Sequence, residues 1–427
     1  MFAIRVQRLI DGSGTTPTEG VTLLIKDGRF LAVGRSQEVP LPTDCEVLDR
    51  GDLIAIPGLI DAHVHLIGSG DPGDAAFGPV GEAVRSIPEV TLHILKNAQR
   101  SLEAGFTTLR DCAARHYADI AVRDAINRGE HVGPRLWCCG LGITSTSGHM
   151  DREKSLAPHT SLWGPSAVAD GPVEGRRAVR QNLRYDVDFI KINATLTEHI
   201  RRYFGTCAPE MTRDTMEAIF EEAHWHGRRV TAHCYGGPAA TWAIEAGIDG
   251  IEHGFYLTDE QLGMMAERGT VLCPTLSVVG RFREMGEKAL PHGAPPQLEA
   301  WRQRAVAAAW EMVRRARFIG VTIICGTDAA MPYVRHGENA YELEMLVEAG
   351  LTPLEAITAA TSAAARALDI EDIGTVKAGQ RADLVLLHKD PLQDIRCLQD
   401  RDTVAAVFKD GGVVARPSGH LQVVPAH

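Results

Sequence analysis

Six side chains that can bind a metal ion lie along the middle of the chain. They are His63, His65, Lys191, His233, His253 and Asp328. Imidazole and carboxylate groups suit zinc and similar divalent ions, whereas the chain's nine cysteines are scattered and form no CxxC pair. The set therefore favours an open, catalytic metal centre over a closed thiolate site.

Each histidine of this set, taken alone, has a simpler explanation. His63 and His65 stand at i and i+2, which puts both rings on one face of a strand, but two satisfied histidines would show the same spacing. His233 and His253 could each be a core or a capping residue. The histidines therefore leave the metal site open as one alternative.

The other two members of the set are ambiguous in the same way. Lys191 lies between β-branched residues in Phe189–Asn193, so its ammonium group must be paired, neutral or chemically modified. Asp328 follows an apolar stretch and could cap the next helix. Only the positions of all six residues in a common fold can separate these explanations.

The middle of the chain alternates short apolar stretches with helical ones, which is typical of βα units around a parallel sheet. The candidate strands are Leu59–Leu66, Thr107–Cys112, Arg135–Gly140, Phe189–Asn193, Arg229–Cys234, Gly250–His253, Thr270–Pro274 and Thr322–Thr327. This number predicts an α/β fold, a (β/α)₈ TIM barrel, in which active sites lie at the carboxyl ends of the strands. The six side chains follow five of these strands, so they should meet at one mouth.

The two ends of the chain have a different pattern. Residues 1–57 contain short strands joined by turns, with Asp27-Gly28 between two apolar runs as a hairpin signal. Residues 369–427 repeat this pattern. We therefore expect both ends to form one small β-sandwich domain beside a barrel domain of residues 58–368.

A long stretch after the third candidate strand, from residue 141 to about 175, carries many Gly, Ser and Pro residues and no clear period. A loop of this length in a compact domain is usually functional, often a lid. It includes His149, in the sequence Ser-Gly-His-Met-Asp. We therefore expect this loop to border the site.

Composition narrows the partners and the compartment. The formal net charge of −11 argues against a nucleic-acid or anionic-membrane partner, because both attract a cationic face. The first residues alternate like a strand and lack the sectors of a signal peptide, and no apolar run reaches the length of a membrane span. The sequence favours a cytoplasmic location, although a leader that had been removed would leave no trace.

This arrangement of residues resembles the binuclear amidohydrolase superfamily over essentially the whole chain. The resemblance rests on the HxH after the first strand, the lysine after the fourth, single histidines after the fifth and sixth, and Gly-Thr-Asp after the eighth. Residues 58–65, 147–151 and 374–385 look like the subgroup of imidazolonepropionase-like proteins and Xaa-Pro or Xaa-Arg/Lys dipeptidases. Within that subgroup the chain looks most like bacterial amidohydrolases that cleave ochratoxin.

The resemblance implies a site with two divalent ions, with zinc as the expected metal. Lys191 would be carbamylated and bridge both ions, one of them also held by His63, His65 and Asp328, the other by His233 and His253. A hydroxide between the ions would attack an amide carbonyl. Asp328 would take its proton and deliver it to the leaving amine.

The resemblance also implies two donors to the developing oxyanion, His149 and Tyr235. The alternative for His149 is a solvated loop histidine, and without the resemblance Tyr235 is explained equally as a packing residue. The expected substrates are N-acyl amino acids or dipeptides, including ochratoxin-type aryl amides of L-phenylalanine. The family further suggests a homo-oligomer, such as an octamer.

Two alternative functions remain to be separated from amide hydrolysis. A cyclic-amide hydrolase or deaminase of the imidazolonepropionase type would use the same barrel, but such mononuclear relatives generally lack a bridging lysine, so Lys191 argues against it. A non-catalytic scaffold protein would show substituted ligands, whereas all six are present here. Metal analysis would separate the scaffold from the enzyme.

Overall fold

The computed structural model describes residues 1–71, 84–151, 153, 164–196, 207–289 and 296–416. The strands are β1 (Phe2–Leu9), β2 (Thr18–Lys26), β3 (Arg29–Arg35), β4 (Glu46–Pro57), β5 (Leu59–Val64), β6 (Phe106–Asp111), β7 (Arg135–Cys138), β8 (Gly142–Thr144), β9 (Ser166–Val168), β10 (Phe189–Asn193), β11 (Arg229–Gly236), β12 (Gly250–Tyr256), β13 (Val271–Cys273), β14 (Leu384–Leu387), β15 (Val404–Lys409) and β16 (Gly412–Ala415). The α-helices are α1 (Ile87–Glu103), α2 (Ala118–Asn127), α3 (Pro172–Leu183), α4 (Arg213–Trp225), α5 (Gly237–Glu245), α6 (Asp259–Arg268), α7 (Leu276–Met285), α8 (Pro296–Ile319), α9 (Tyr341–Glu348), α10 (Pro353–Ala359) and α11 (Ser362–Ala367). Helices thus alternate with strands through the middle of the chain.

The strands from the two ends of the chain lie in one seven-stranded sheet, in the order β16-β15-β14-β4-β1-β2-β3. Asp27 and Gly28 form the turn between β2 and β3 with φ of 51° and 77°, the left-handed pair that a tight hairpin requires. The side chains of Ile4, Leu23 and Phe408 are fully buried in the core of this sheet. Hydrogen bonds join all seven strands into one sheet, where the sequence predicted the two layers of a β-sandwich.

The strands of the middle form two parallel sheets, β5-β6-β7 and β13-β12-β11-β10-β8-β9. Strands β5 and β10 are buried along their whole length, as expected for parallel strands covered on both faces. The predicted strands therefore fall in parallel sheets with helices between them. Because the paired strands run parallel, the carboxyl ends of each sheet's strands lie on one side.

The eighth predicted strand, Thr322–Thr327, is not formed as a strand. The segment makes single bridges to its neighbours, with hydrogen bonds of 2.9 Å from Ile324 N to Leu272 O and from Ala62 N to Cys325 O. It cannot extend further, because Asp328 and Ala330 turn the chain with φ of 58° and 104°. The segment thus links β13 to β5 without completing a continuous ladder in the part of the chain that the structure describes.

The stretch predicted as one long loop, residues 141 to 175, contains two short strands, β8 and β9, and the start of α3. Ile143 of β8 pairs with Ile192 of β10 and so extends the parallel sheet. Three-residue strands leave too little periodicity to be recognised in a sequence rich in Gly and Ser. Residues 152 and 154–163 of this stretch lie outside the described residues.

The helices cover the parallel sheets with apolar faces. Helix α1 begins at a capping box in which Ser86 and Glu89 bond each other's backbone, and it buries Val90, Ile94 and Ala98 at four-residue spacing. Over the described ranges, none of the helices combines the length and the apolar character needed to traverse a lipid bilayer.

Candidate metal centre

Strand β5 carries the first two predicted ligands. His63 lies on the strand and His65 just after it, with ring centroids 5.3 Å apart. The Oδ1 atom of Asp328 is 3.6 Å from His63 Nε2 and 3.4 Å from His65 Nε2. The ligand atoms of these three buried residues lie within 4.8 Å of one another, a spacing that one metal ion can bridge.

The remaining imidazoles come from neighbouring parallel strands. His233 on β11 and His253 on β12 have ring centroids 4.6 Å apart, and the His253 ring is 5.3 Å from that of His63. Lys191 on β10, the next strand along, is only 2% exposed. The structure therefore brings all six predicted metal ligands into one buried cluster, while their roles as ligands stay a prediction.

Some atoms of this cluster have unfilled bonding capacity. Among the described residues, Lys191 Nζ and His233 Nε2 are buried and have no hydrogen-bond partner. A buried ammonium group without a partner costs several kcal/mol, in the order of magnitude of a lost ion pair. The vacant donor and lone pair fit a centre in which the lysine carries a carbamate and the imidazoles bind divalent ions.

The backbone is strained where the cluster forms. His253 and Asp328 have left-handed φ angles of 71° and 58°. Adjacent residues of a regular strand point to opposite faces, but the left-handed φ at His253 breaks this alternation, so both Glu252 and His253 reach His63. Such backbone outliers are typical of functional sites.

Burial dominates the electrostatics of the imidazoles. It lowers the pKa of His63 to about 4 and that of His253 to about 3, with the Lys191 charge as a further cause, and it holds the pKa of His233 well below its usual value. All three rings are therefore neutral at pH 7, the form that binds a metal ion.

The carboxyl group of Asp328 responds in the opposite direction. Burial would raise its pKa, but the neighbouring imidazoles of His63 and His65 outweigh burial and hold the pKa of Asp328 below its usual value. The side chain is therefore an anion throughout the physiological pH range. That state allows it both to bind a cation and to accept a proton.

The buried acid Glu252, which the sequence analysis did not single out, supports His63. Its Oε2 lies 2.7 Å from His63 Nδ1, and its Oε1 accepts hydrogen bonds from Arg110 (2.6 Å) and from the Thr231 hydroxyl. A carboxylate on one ring nitrogen directs the other toward the metal. Its neighbours Arg110 and Thr231 could be recognised only from the pairing of β6, β11 and β12.

His63, Glu252 and Cys273 form a second group with the spacing of a metal site. Both oxygens of Glu252 already accept hydrogen bonds, and burial raises the pKa of the Cys273 thiol well above its usual value. A protonated thiol is a poor metal ligand. This group therefore orients His63 rather than holding an ion of its own.

Asp61 and Thr275 also hold the cluster in place. Asp61 accepts hydrogen bonds from the Thr327 hydroxyl and from Asn339, both at 2.7 Å, and so fixes the turn that presents Asp328. The Thr275 hydroxyl lies 2.7 Å from His253 Nδ1. Asp61 belongs to the first motif but had been given no role, because its partners are more than 250 residues away in the sequence.

The two predicted oxyanion donors border the same cluster. The His149 ring stacks on the His233 ring, with centroids 4.0 Å apart and planes 13° from parallel. The Tyr235 ring is 4.7 Å from that of His233 and 5.5 Å from that of His253. Tyr235 stands two residues after His233 on β11, so both side chains project from one face of that strand.

Comparison with known proteins shows what this fold and site resemble. A model of the amidohydrolase family matches residues 54–414. An ochratoxinase from Aspergillus niger is 30% identical over 435 residues, which cover 96% of this chain and 85% of the relative. An imidazolonepropionase from Symbiobacterium thermophilum is 24% identical over 424 residues, covering 92% of this chain and 90% of the relative.

Solved structures give the same picture. A Xaa-Pro dipeptidase with bound methionine superposes with a TM-score of 0.86 at 29% identity, over 96% of this chain and 99% of the other. The A. niger ochratoxinase superposes with a TM-score of 0.86 at 29% identity, over 97% of this chain and 96% of the other. Such matches imply a TIM barrel with an additional domain. The chain is a hydrolase that belongs to the amidohydrolase family.

Proposed function

We propose that this protein is a binuclear, metal-dependent hydrolase that cleaves amide bonds in N-acyl amino acids or dipeptides, including ochratoxin-type aryl amides of L-phenylalanine. The observation that carries the proposal is the buried cluster on β5, β10, β11 and β12, in which Lys191 Nζ and His233 Nε2 have no hydrogen-bond partner among the described residues. Similarity to an ochratoxinase and a Xaa-Pro dipeptidase supports the substrate class.

The ligands divide into two sets that share Lys191. His63, His65 and Asp328 would hold one divalent ion, expected to be zinc, and His233 and His253 would hold the other, with a carbamate on Lys191 between them. Carbamylation would turn the buried ammonium into an anion, and the two cations would then offset the cost of burying that charge. When bound, the ions supply Lewis acidity toward a carbonyl and acidify a water molecule.

Asp328 moves the protons. Its lowered pKa keeps it ionised, so it accepts a proton from the attacking water and then delivers that proton to the leaving amine. Its Oδ1 lies 3.6 Å from His63 Nε2 and 3.4 Å from His65 Nε2, so the proton would be held beside the predicted metal ligands. Proton delivery to nitrogen is the requirement that distinguishes amide cleavage from ester cleavage.

His149 and Tyr235 act on the substrate carbonyl. Both rings border His233, so a carbonyl bound beside that imidazole has one donor from the loop and one from β11. Donors placed where negative charge develops stabilise the transition state more than the ground state. The two side chains thus complete an oxyanion site.

The same proposal covers the organisation of the protein. We propose that residues 58–368 form the metal-binding domain, a (β/α)₈ barrel, and that residues 1–57 with 369–427 form the small domain. We place the protein in the cytoplasm as a homo-oligomer, as its family resemblance suggests. A small-molecule amide, rather than a nucleic acid or a membrane, is its partner, in keeping with the net charge of −11.

A release assay tests the substrate class. Metal-replete protein is incubated with Xaa-Pro and Xaa-Arg dipeptides, a panel of N-acyl amino acids and ochratoxin, and the free amino acid is measured. We expect release from at least one class, and none with Asp328→Asn as the matched control. Opening of an imidazolone ring or release of ammonia from a cyclic amine, with every open-chain amide left intact, would overturn the proposal in favour of the ring hydrolase.

A further inference from the structure

Glu210 holds the loop that presents His149. One oxygen of its carboxylate, Oε1, accepts hydrogen bonds from the backbone N–H of Ser145 at 2.9 Å and from the Thr144 hydroxyl. The other oxygen, Oε2, accepts from the backbone N–H of His149 at 2.7 Å. A single side chain thus grips both the beginning of the loop and the residue that carries the imidazole.

The close approach of Glu210 depends on a glycine in the loop. A Cβ atom added at Gly148 would lie 2.2 Å from Glu210 Oε1, well inside any permitted contact. Gly148 therefore lets the carboxylate pack directly against the backbone beside His149. The Ser-Gly-His sequence supplies both the space and the imidazole.

Glu210 is itself tied to the metal cluster. Its backbone N–H donates to Ala194 O at 2.8 Å, and Ala194 N donates to His233 O at 2.9 Å. The peptide of His149 is therefore connected through Glu210 and Ala194 to the backbone of His233, the residue on whose ring the His149 imidazole stacks at 4.0 Å. The two attachments, one by backbone and one by ring, fix the same side chain.

We propose that Glu210 is a positioning residue for hydrolysis, whose carboxylate sets the His149 imidazole above His233, where it donates to the substrate carbonyl. This inference rests on the oxyanion role given to His149 under the proposed function. Charge-assisted hydrogen bonds to backbone N–H groups are shorter and stronger than neutral ones, which suits an anion for this task. Nothing in the role requires Glu210 to touch the substrate.

Glu210→Gln is the variant that tests the role most cleanly. The carboxamide has the same shape, but its NH₂ group would face an N–H donor at one of the two oxygen positions, so the grip on either Ser145 or His149 is lost. We expect kcat to fall about 10- to 100-fold, because a displacement of about 1 Å has this effect. KM and metal content should stay within about twofold of wild type.

Asp170 offers a matched control on the same loop. Its carboxylate accepts hydrogen bonds from the backbone N–H of Thr146 at 2.8 Å and from the Thr146 hydroxyl at 2.6 Å, at the exposed tip. Asp170→Asn removes an equal charge without touching His149. We expect its kcat to stay within about twofold of wild type, and an equal loss in both variants would overturn the specific role of Glu210.

A double-mutant cycle shows whether Glu210 acts through His149. In the His149→Ala background, Glu210→Gln should have almost no further effect on kcat, since the group that it positions is gone. A loss that multiplies with that of His149→Ala would mean that Glu210 acts by another route. If Glu210→Gln does not fold, Gly148→Ala replaces it, because the added Cβ atom pushes the Glu210 carboxylate away from the loop backbone. We expect the same fall in kcat, and again almost no further effect in the His149→Ala background.

Hydrogen exchange separates failure of this inference from failure of the proposed function. The peptide spanning residues 144–150 should exchange faster in Glu210→Gln than in wild type, whether or not His149 is catalytic. Unchanged exchange would overturn the grip of Glu210 on the loop. If Glu210→Gln exchanges faster but keeps its kcat, while His149→Ala lowers kcat, the positioning role of Glu210 is overturned. If His149→Ala itself leaves kcat unchanged, His149 has no catalytic role and that part of the proposed function is overturned.

Discussion

Polar side chains before the parallel strands and those in the metal cluster differ in whether their hydrogen bonds are made. At the amino ends, Asp188 precedes β10 and accepts hydrogen bonds of 2.8 Å from Cys138 N and from Arg123. Asp249 precedes β12 and likewise accepts from Val230 N at 2.8 Å. Three residues further along, inside β10 and on the side of the metal cluster, Lys191 Nζ is buried with no hydrogen-bond partner in the described ranges.

This difference separates the residues that stabilise the fold from those that serve chemistry. A buried polar group whose hydrogen bonds are all made stabilises the fold, because its removal leaves its partner buried without a hydrogen bond. A polar group that is buried, unsatisfied and set on strained backbone lowers stability and marks a functional site. We therefore expect changes at the carboxyl ends to alter activity and changes at the amino ends to alter stability.

The largest effect at the carboxyl ends is expected for Asp328→Asn. An amide cannot accept the water's proton, so hydrolysis should fall by about 10³- to 10⁴-fold, while the free energy of unfolding of the metal-free protein changes little. Amide-release kinetics and denaturant unfolding measure the two quantities on one preparation. Activity above about a tenth of wild type would remove Asp328 from proton transfer.

His149→Ala should have the next largest effect. If His149 donates to the oxyanion, it acts on charge that exists only in the transition state, so kcat should fall by about a hundredfold with KM and metal content little changed. Steady-state kinetics with a bulky N-acyl amino acid provide the test. A raised KM with an intact kcat would make His149 a wall of the pocket instead.

Asp188→Asn probes the amino ends in the opposite sense. It removes one carboxylate partner, itself 17% exposed, of the Arg123 guanidinium, which is only 8% exposed and keeps its ion pair with Asp124, so the free energy of unfolding should fall by about 1 kcal/mol with kcat unchanged. Urea denaturation and the release assay measure the two outcomes. Loss of activity at unchanged stability would break the comparison between the two strand ends.

The smallest effect concerns the pH dependence of stability at the amino end of β12. A hydrogen bond from His224 to Asp249 (2.9 Å) raises the pKa of His224 above its usual value of 6.5. Because the pKa of His224 is higher in the folded than in the unfolded protein, the pair contributes its full stabilisation below pH 6.5. That stabilisation is lost as the pH rises through the folded-state pKa. The pair is partly exposed, so solvent screening limits this to about 0.5 kcal/mol.

His224→Gln tests that pH dependence. Wild type should exceed the variant in stability at about pH 5.5, and the difference should vanish at about pH 8.5. Denaturant unfolding at both pH values measures it. A difference that grows with pH would have the wrong sign for a histidine with a raised pKa.

The sequence predicted the metal-binding side chains better than the residues that hold those side chains in place. His63 and His65 could be placed on one strand face from their spacing alone, and the order of the strands predicted that Lys191 and Asp328 would join them. Glu252 was missed because an acid beside His253 should point away from it in a regular strand, and only the left-handed φ at His253 brings both to His63.

Contacts between distant segments set the other limit on prediction. The stacking of His149 on His233 and the grip of Glu210 on the loop join residues more than 60 positions apart in a stretch without periodicity. The eighth strand was predicted from an apolar run, but within the described ranges this segment makes an isolated bridge, Leu272 to Ile323, in place of a ladder. Short-range sequence patterns carry no information about the contact of His149 with His233 or about that of Glu210 with the loop.

The central claim, that the carboxyl ends of the strands hold two ions joined at Lys191, is tested most directly by metal content. Protein prepared with zinc and bicarbonate should contain about two ions per chain, because five side chains and a carbamate fill two sites. Lys191→Ala should lose metal and activity together, with partial rescue by short carboxylic acids that imitate the carbamate. Elemental analysis showing one ion or none in wild type, or normal metal content and turnover in Lys191→Ala, would contradict the account.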